Sequence, residues 1–545
     1  FYNQGFSGRA GNDREQLVSL IAARSPAHNS VMNSSNSRVS ATAERQRFPF
    51  SLIYVIAIVA TYAAIHALTR LLASGNLGED DPLDNLLIQT LAPGYSVQQG
   101  PLYDWILWLL QQIFGTGLQS FLLLKYSLLV IMAGCLFQIT RRLTQSAMWA
   151  FIAVESMATV YQIFWRFHEG FTHRVGAMAL SVATVWAILR LVDRPTRANY
   201  LLVSVLIGLG LLSEHIYAFV LPATLLAASL QQTMRARIFS LPMLISTPVA
   251  LLIASPYAYW LMAEPLRLAA LGTAMLPEIP THSPAGLGMG LRDAASFPLL
   301  VLAPYIVILP LVFPAIFRTI FKQSPLRVSN PAQFDPKLFI LHLLIIELAG
   351  NLLFNGLLYS RSNYAVHSIL PMLVIAIPWL TAKAQETAPT PRRVRVFMSI
   401  LLAFTITAYA VRSGNLFVYE PFCSRCRWGV PYADLATTLR DKGFHQGTII
   451  AHDPMIGGNL RRFFPDSRII APGVDAAPPM ANGQIAIIWP ATGHDIQIPE
   501  ELHPLAPGIS PDTLPEVIEL PWKHLWKPLG YRTSSWATVI TGRTD

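Results

Sequence analysis

The sequence predicts a mainly α-helical, polytopic membrane protein with a small C-terminal α/β exterior domain. Three observations carry this. Hydrophobic residues make up 53% of the 545 residues and charged residues only 13%, where a soluble domain carries roughly 25% charged residues. The mean hydropathy is +0.42. Long apolar runs recur from residue 48 to 411 and stop there. Together these exclude a soluble enzyme, a disordered chain and a coiled coil.

The elements follow in order. Residues 1–47 are polar, with the Ser/Asn run Asn33-Ser34-Ser35-Asn36-Ser37, and read as a disordered cytoplasmic tail. The chain opens on Phe1 rather than Met, which leaves its true start open; no apolar stretch precedes residue 48, so no cleaved signal peptide is expected. A span needs about 20 apolar residues. Residues 48–412 form the membrane domain, with about eleven spans near 48–70, 118–139, 145–165, 174–192, 199–213, 215–231, 238–262, 296–317, 338–359, 365–382 and 394–411. The fifth and sixth are short enough for a tight hairpin or one broken helix.

Charge sets the expected orientation. With a cytoplasmic N-terminus, the inner loops hold fifteen basic residues, Arg141, Arg142, Arg190 and Arg194 among them, against three acids. The outer loops hold six basic residues and ten acids. Such a bias in Lys and Arg orients a membrane protein. An odd number of spans then places residues 413–545 outside. The net charge of +9 alone would suggest nucleic acid or anionic lipid. Its distribution points to a membrane and to no nucleic acid. The tail 413–545 is rich in Pro and Gly. It has a helix-like piece at Tyr432–Lys442 and strand-like pieces at Thr448–Ala451 and Gln484–Trp489. Cys423 and Cys426 form a C-x-x-C pair. Two cysteines do not make a zinc site, and an oxidising exterior favours a disulfide.

Polar residues gather in the outer loops. The first loop carries Gly78-Glu79-Asp80-Asp81-Pro82-Leu83-Asp84. Asp81 before Pro82 suits a helix cap, and acids suit a helix start; a carboxylate here could equally serve as a catalytic base. Next comes Tyr95-Ser96-Val97-Gln98-Gln99-Gly100-Pro101-Leu102-Tyr103-Asp104-Trp105. The apolar run from Leu102 to Phe114 is too short to span. It fits an interfacial helix that walls a groove for a lipid chain, or a packing helix. The second outer loop holds Arg166, His168, Glu169, His173 and Arg174. A divalent metal on Asp80, Asp81, His168 and Glu169, binding of a phosphate or acidic sugar, and simple snorkelling at the interface all suit it. Glu214 and His215 occupy the fifth-to-sixth turn, and Arg361 and His367 a late loop. Lys125 lies inside a span, which makes it a functional candidate unless it pairs with Glu155. One outward-facing site assembled from several loops is the economical inference.

These residues carry a resemblance. Asp80-Asp81, Gly94-Tyr95, Gln99-Gly100-Pro101-Leu102-Tyr103-Asp104-Trp105, Phe114-Gly115, Thr172-His173, Gly208-Leu209-Gly210-Leu211-Leu212-Ser213 and Gly458 to Asp466 follow one another in an order and spacing similar to the bacterial glycosyltransferases related to family 39. That group includes protein O-mannosyltransferases and lipid A aminoarabinose transferases. The chain looks closest to the lipopolysaccharide-core galacturonic acid transferases. The resemblance implies a GT-C fold, and a sugar taken from a polyprenyl-phosphate carrier on the outer face of the bacterial inner membrane. The acceptor would be a lipopolysaccharide, another surface glycan or a protein. It makes Asp80 and Asp81 the two-acid motif, Asp80 the base, and Lys125, His173, Arg174 and Arg361 the candidates to neutralise the phosphate. Several positions depart from the group: Asp81 for Glu, Gly100 for Pro, Arg166 for an acid, Glu214 for Lys and His367 for Arg. A transporter or flippase would need ionisable residues deep in several spans. Lys125, Glu155 and Glu347 are the chief ones, with no evident repeat. An inactive member of the same fold is the third reading.

Overall fold

The computed structural model describes residues 51–275, 284–321, 333–357, 369–424, 426–474, 483–491, 496–506, 508–510 and 513–542. The predicted N-terminal tail lies outside them, as do Arg361 and His367.

Each predicted span contains a helix, and the helices differ in length for local reasons. Helix α1 (Leu52–Ala73) starts at Ser51, whose hydroxyl accepts from the Tyr54 amide at 3.3 Å. After it come two short helices, α2 (Asp81–Leu87) and α3 (Leu102–Phe114). Helix α4 (Leu118–Thr144) is the longest of the early spans. Helix α5 (Ala147–Ser156) is capped by Ser146. Its continuation breaks at Val160, whose backbone is extended. The pieces Ala147–Thr159 and Tyr161–His168 meet at 73°, so the predicted third span is not one straight helix but a bent pair, the geometry of a broken span or a re-entrant loop. Then follow α6 (His173–Asp193), α7 (Arg197–Leu211), α8 (Tyr217–Ser229), α9 (Leu241–Met262), α10 (Pro284–Val312), α11 (Pro336–Leu357), α12 (Leu370–Glu386) and α13 (Pro391–Gly414). Among the described residues, seven helices are long and apolar enough to cross a membrane, or eight counting the bent pair. The protein is a multi-pass membrane protein. Helices α7 and α8 are the short pair expected from the sequence, at 15 and 13 residues, and α12 has 17.

Burial separates inner from outer helices. Helix α6 is mostly buried. Helices α1 and α9 expose large apolar side chains, Ile53 and Leu252 among them, as helix faces toward lipid do.

The C-terminal part is built on a five-stranded sheet of order β2-β1-β3-β5-β4. The strands are β1 (Gly447–Ala451), β2 (Arg468–Ile470), β3 (Gln484–Pro490), β4 (Glu516–His524) and β5 (Lys527–Thr541). Strand β1 pairs in parallel with both neighbours, whereas β5 pairs antiparallel with β3 and β4. All of β1 is buried, as expected for a parallel strand covered on both faces. One face packs Ile449, Ile469 and Ile488 beneath α14 (Tyr432–Asp441) and α15 (Pro454–Arg461). The other packs Ile450 and Ile487 against Ile498 and Leu502. Cys423 and Cys426 are joined by a disulfide just ahead of this domain.

Candidate active site

The first loop is shaped by close backbone contacts. Glu79 adopts a left-handed backbone, φ 53°, which L-residues rarely do. Gly170 of the second loop presses on it. A Cβ at Gly170 would lie 2.3 Å from the Gly78 carbonyl oxygen. The Asp80 amide donates to the Gly170 carbonyl at 3.4 Å. The sequence placed the helix cap at Asp81. The structure moves it: Asp81 is the first residue of α2, and Asp80 precedes it without making a capping hydrogen bond. The Asp80 carboxylate therefore is not spent on the helix end.

The two acids of the motif have opposite environments. Asp81 is fully buried, and Lys125 of α4 sits 3.4 Å from its Oδ1, itself 1% exposed. Lys125 thus pairs with Asp81, not with Glu155 as the structural alternative had it. Burial pushes the Asp81 carboxyl up to about 6, against the pull of Lys125. Asp80 is exposed at its surface yet crowded by protein. Burial and the neighbouring Asp84 carboxylate raise its pKa, while Arg174 and His173 lower it. A carboxylate with raised proton affinity is a better base near neutral pH.

A second cluster lies behind the first. His173, the first residue of α6, sets Nε2 3.3 Å from Asp84 Oδ1 and 3.5 Å from Asp104 Oδ1. All three are buried. Burial raises the Asp104 carboxyl to about 6 despite His173. The Tyr103 ring packs 5.1 Å from that of His173. Its buried hydroxyl has no hydrogen-bond partner, nor do Asp81 Oδ2, Asp84 Oδ2, His173 Nδ1 and Glu214 Oε2. Asp84, Asp104 and His173 offer ligand atoms within 4.8 Å of one another, the one such trio among the described residues. They could hold a cation, and they also balance as an ion-paired trio. The set expected from sequence, Asp80, Asp81, His168 and Glu169, does not assemble into one. From sequence, Asp84 is one of the loop acids and Asp104 one position of a matching segment; their meeting at His173 comes from the fold.

His168 and Glu169 belong elsewhere. Both His168 ring nitrogens meet tyrosine hydroxyls, Tyr62 at 3.0 Å and Tyr126 at 2.8 Å, and its ring stacks on His66 at 3.9 Å. Its carbonyl accepts from Arg412 at 2.5 Å. Glu169 pairs with Arg166 at 3.2 Å and lies 3.9 Å from Arg412. Arg166 also reaches Glu79 at 3.5 Å.

The fifth-to-sixth turn closes the site. Glu214 has a fully buried side chain 3.3 Å from Arg174 Nε. Burial pushes its carboxyl up to about 7, the Arg174 charge notwithstanding. Arg174 keeps 20% of its side chain exposed. His215 is hydrogen-bonded to the Val97 carbonyl at 2.8 Å, and burial lowers its pKa. This turn is tied to the segment at Gly100. The Leu102 amide donates to the Leu212 carbonyl at 2.9 Å, and a Cβ at Gly100 would lie 2.4 Å from that oxygen. The departure from Pro at this position therefore has a structural reason. Gln99 is half-buried beside it.

The C-terminal domain grips the same loop, which the sequence did not reveal. The Leu77 amide donates to Asn459 Oδ1 at 2.8 Å, and Asn459 Nδ2 returns a bond to the Leu77 carbonyl at 3.2 Å. Asn85 Nδ2 donates to the Gly458 carbonyl at 2.7 Å, and Gln111 Nε2 donates to Asn85 Oδ1 at 2.8 Å. Arg461 donates to the carbonyls of Asn85 and Ile88. Gln89 and the Ile469 backbone exchange bonds of 2.7 and 2.8 Å. Gly458 is required here, since a Cβ would lie 2.0 Å from the Pro82 carbonyl oxygen.

Comparison with known proteins accords with this arrangement. The solved structure of ArnT from Cupriavidus metallidurans bound to undecaprenyl phosphate superposes with a TM-score of 0.59 at 11% identity, covering 88% of this chain and 97% of that one. The fold is therefore of the GT-C type. The family model for dolichyl-phosphate-mannose-protein mannosyltransferase matches residues 98–260. The lipopolysaccharide core galacturonosyltransferases RgtA and RgtB of Rhizobium johnstonii are 25% and 26% identical. They cover 81% and 77% of this chain, and 88% and 83% of their own lengths are matched. Together the matches support a glycosyltransferase of the family 39-like group.

Proposed function

We propose that this protein transfers a sugar from a polyprenyl-phosphate donor to a lipopolysaccharide or related acceptor on the outer face of the inner membrane. Asp80 is the base. Support comes from the relatives, named for lipopolysaccharide core transfer, and from the ArnT fold, solved with undecaprenyl phosphate. The carrying observation is the contrast within the motif: Asp81 is buried on Lys125, whereas Asp80 is accessible and has no side-chain hydrogen bond among the described residues.

In this reading the acceptor hydroxyl gives its proton to Asp80 as its oxygen attacks the anomeric carbon. The bond from that carbon to the phosphate oxygen breaks. Polyprenyl phosphate leaves as a stable anion, so no general acid is needed and one base suffices. Arg174, which keeps 20% of its side chain exposed and lowers the Asp80 pKa by its charge, is the cation assigned to that phosphate. Glu214, where relatives of this group often carry Lys, takes up part of its charge. The buried Asp84–His173–Asp104 trio and the clamp from α15 keep the acid loop rigid, which orientation-dependent catalysis needs.

The test compares lipopolysaccharide and other surface glycans, by mass spectrometry, from cells with and without the gene. Rescue uses the parent or Asp80→Asn. A glycan that loses one sugar without the gene, regains it with the parent and not with the variant supports the proposal and names the sugar. An unchanged glycan profile, or rescue by Asp80→Asn as full as the parent's, sinks it.

A further inference from the structure

The far ends of α4 and α6 line an open-sided cavity of about 530 Å³. Roughly 24 Å of helix separates Lys125 from Arg141, at about 1.5 Å per residue. The cavity therefore sits close to a bilayer core's thickness from the acid site, about 30 Å. Four arginines line it: Arg141 and Arg142 from α4, Arg190 from α6 and Arg194 just after α6. Gln138, Gln145 and Trp186 also line it, and Asp193 is its one acid.

Basic residues at helix C-termini suit the helix dipole, and a positive bias suits an inner loop. Neither predicts that four arginines and a single acid line one concave site, with Arg141, Arg190 and Arg194 exposed and Arg142 partly buried. Their partners do not neutralise them. Asp193 is taken by Arg142 at 2.6 Å. Arg190 uses Nε to reach Asn199 Oδ1 at 3.0 Å, and its guanidinium lies 5.6 Å from the Trp186 ring centroid. The side chains of Arg141 and Arg194 have no hydrogen-bond or ion-pair partner among the described residues. A formal charge of about three thus remains unmatched around a concave, polar site. Planar guanidinium forks match phosphate oxygens. Trp186 beside them suits the level of lipid headgroups.

We infer that this cavity binds the phosphate of an anionic phospholipid headgroup from the leaflet opposite the acid site. The amide-bearing Gln138 and Gln145 would serve the headgroup's hydroxyl or ester oxygens. This inference is independent of the transferase reading.

The experiment uses the full chain purified in a mild detergent. Native mass spectrometry and thermal unfolding are recorded with phosphatidylglycerol, with phosphatidylcholine and with inorganic phosphate. The variants are Arg141→Gln/Arg194→Gln and, as a control, Arg141→Lys/Arg194→Lys. Retention of phosphatidylglycerol over phosphatidylcholine is expected for the parent. In the Gln pair affinity should fall on the order of thirtyfold, the scale for two basic side chains at an anionic surface. The Lys pair should recover part of it, and inorganic phosphate should compete. Equal retention of phosphatidylglycerol by the parent and by a Gln pair that elutes as a folded monodisperse species would overturn the inference. So would stabilisation by inorganic phosphate with none from phosphatidylglycerol, which would make the ligand a soluble phosphate.

Discussion

Lys125 and Asp81 face each other across 3.4 Å with almost no solvent contact. The second acid of the motif is therefore committed before any substrate arrives, and the proposed function assigns the base to the first. The two positions should fail differently. Asp80→Asn should leave thermal unfolding near that of the parent and lower transfer at least ~10²-fold, the scale of general base catalysis. Asp81→Asn strands a buried ammonium, which costs about 3–5 kcal/mol, so its midpoint should drop sharply. Asp81→Leu/Lys125→Met should recover stability without recovering transfer. Near-parental stability of Asp81→Asn would mean that the pair is not buried as described.

Glu214 gives stability a pH dependence of known sign. Its folded pKa is raised by burial to about 7, above the ordinary carboxylate value of 4.5. Between those values the folded state holds a proton that the unfolded state has released. Stability from this group is thus full below about 4.5 and is lost as pH rises through about 7. In thermal unfolding from pH 4 to 8, Glu214→Gln should decline less steeply than the parent between those limits. Parallel curves would place the Glu214 carboxylate in solvent.

Gly458→Ala puts a methyl group where the Pro82 carbonyl oxygen lies 2.0 Å away. The α15 helix must then withdraw from α2. Transfer should fall by an order of magnitude or more, since small displacements of a catalytic group cost about 10²-fold. Limited proteolysis should cut near residue 454 faster than in the parent, with the membrane helices still protected. Parental activity in this variant would disconnect the clamp from the site.

His168 is expected to be a packing residue. Its replacement by Ala leaves the Tyr62 and Tyr126 hydroxyls buried without their partner, at about 1–3 kcal/mol for each unsatisfied group. The loss should appear in the unfolding midpoint. Transfer per folded molecule should change less than for Asp80→Asn. A His168→Ala protein with parental stability and no transfer would return this residue to the active site.

Hydropathy made the membrane helices legible because lipid demands a long apolar run wherever the backbone crosses. The strands at Thr448–Ala451 and Gln484–Trp489 were legible for a similar reason, as short Ile-rich runs with turns on both sides. The β4–β5 hairpin was not. Its strands are half-exposed and carry Pro521 and Gly530, which dilute any alternation. The bend at Val160 also escaped, because a smoothly apolar run conceals an extended residue. In the site, Asp80, Asp81, Lys125, His173, Arg174 and Glu214 could be named from type and loop. Their pairing could not. Whether Lys125 meets Asp81 or Glu155 depends on helix rotation, which one sequence does not encode locally. The tie between Leu77 and Asn459 spans 382 residues and leaves no periodic trace.

That separation sets an order of events during synthesis. The acid loop is made first, and Asn459, which ties it down, emerges 382 residues later. At about 5–20 residues per second the interval is roughly 20 to 80 seconds. During it the loop has its acids and its lysine but lacks the α15 clamp. A ribosome that stalls, or a message cut short, would yield an inserted but unlocked chain. The acid loop is thereby left unlocked until translation has passed residue 461.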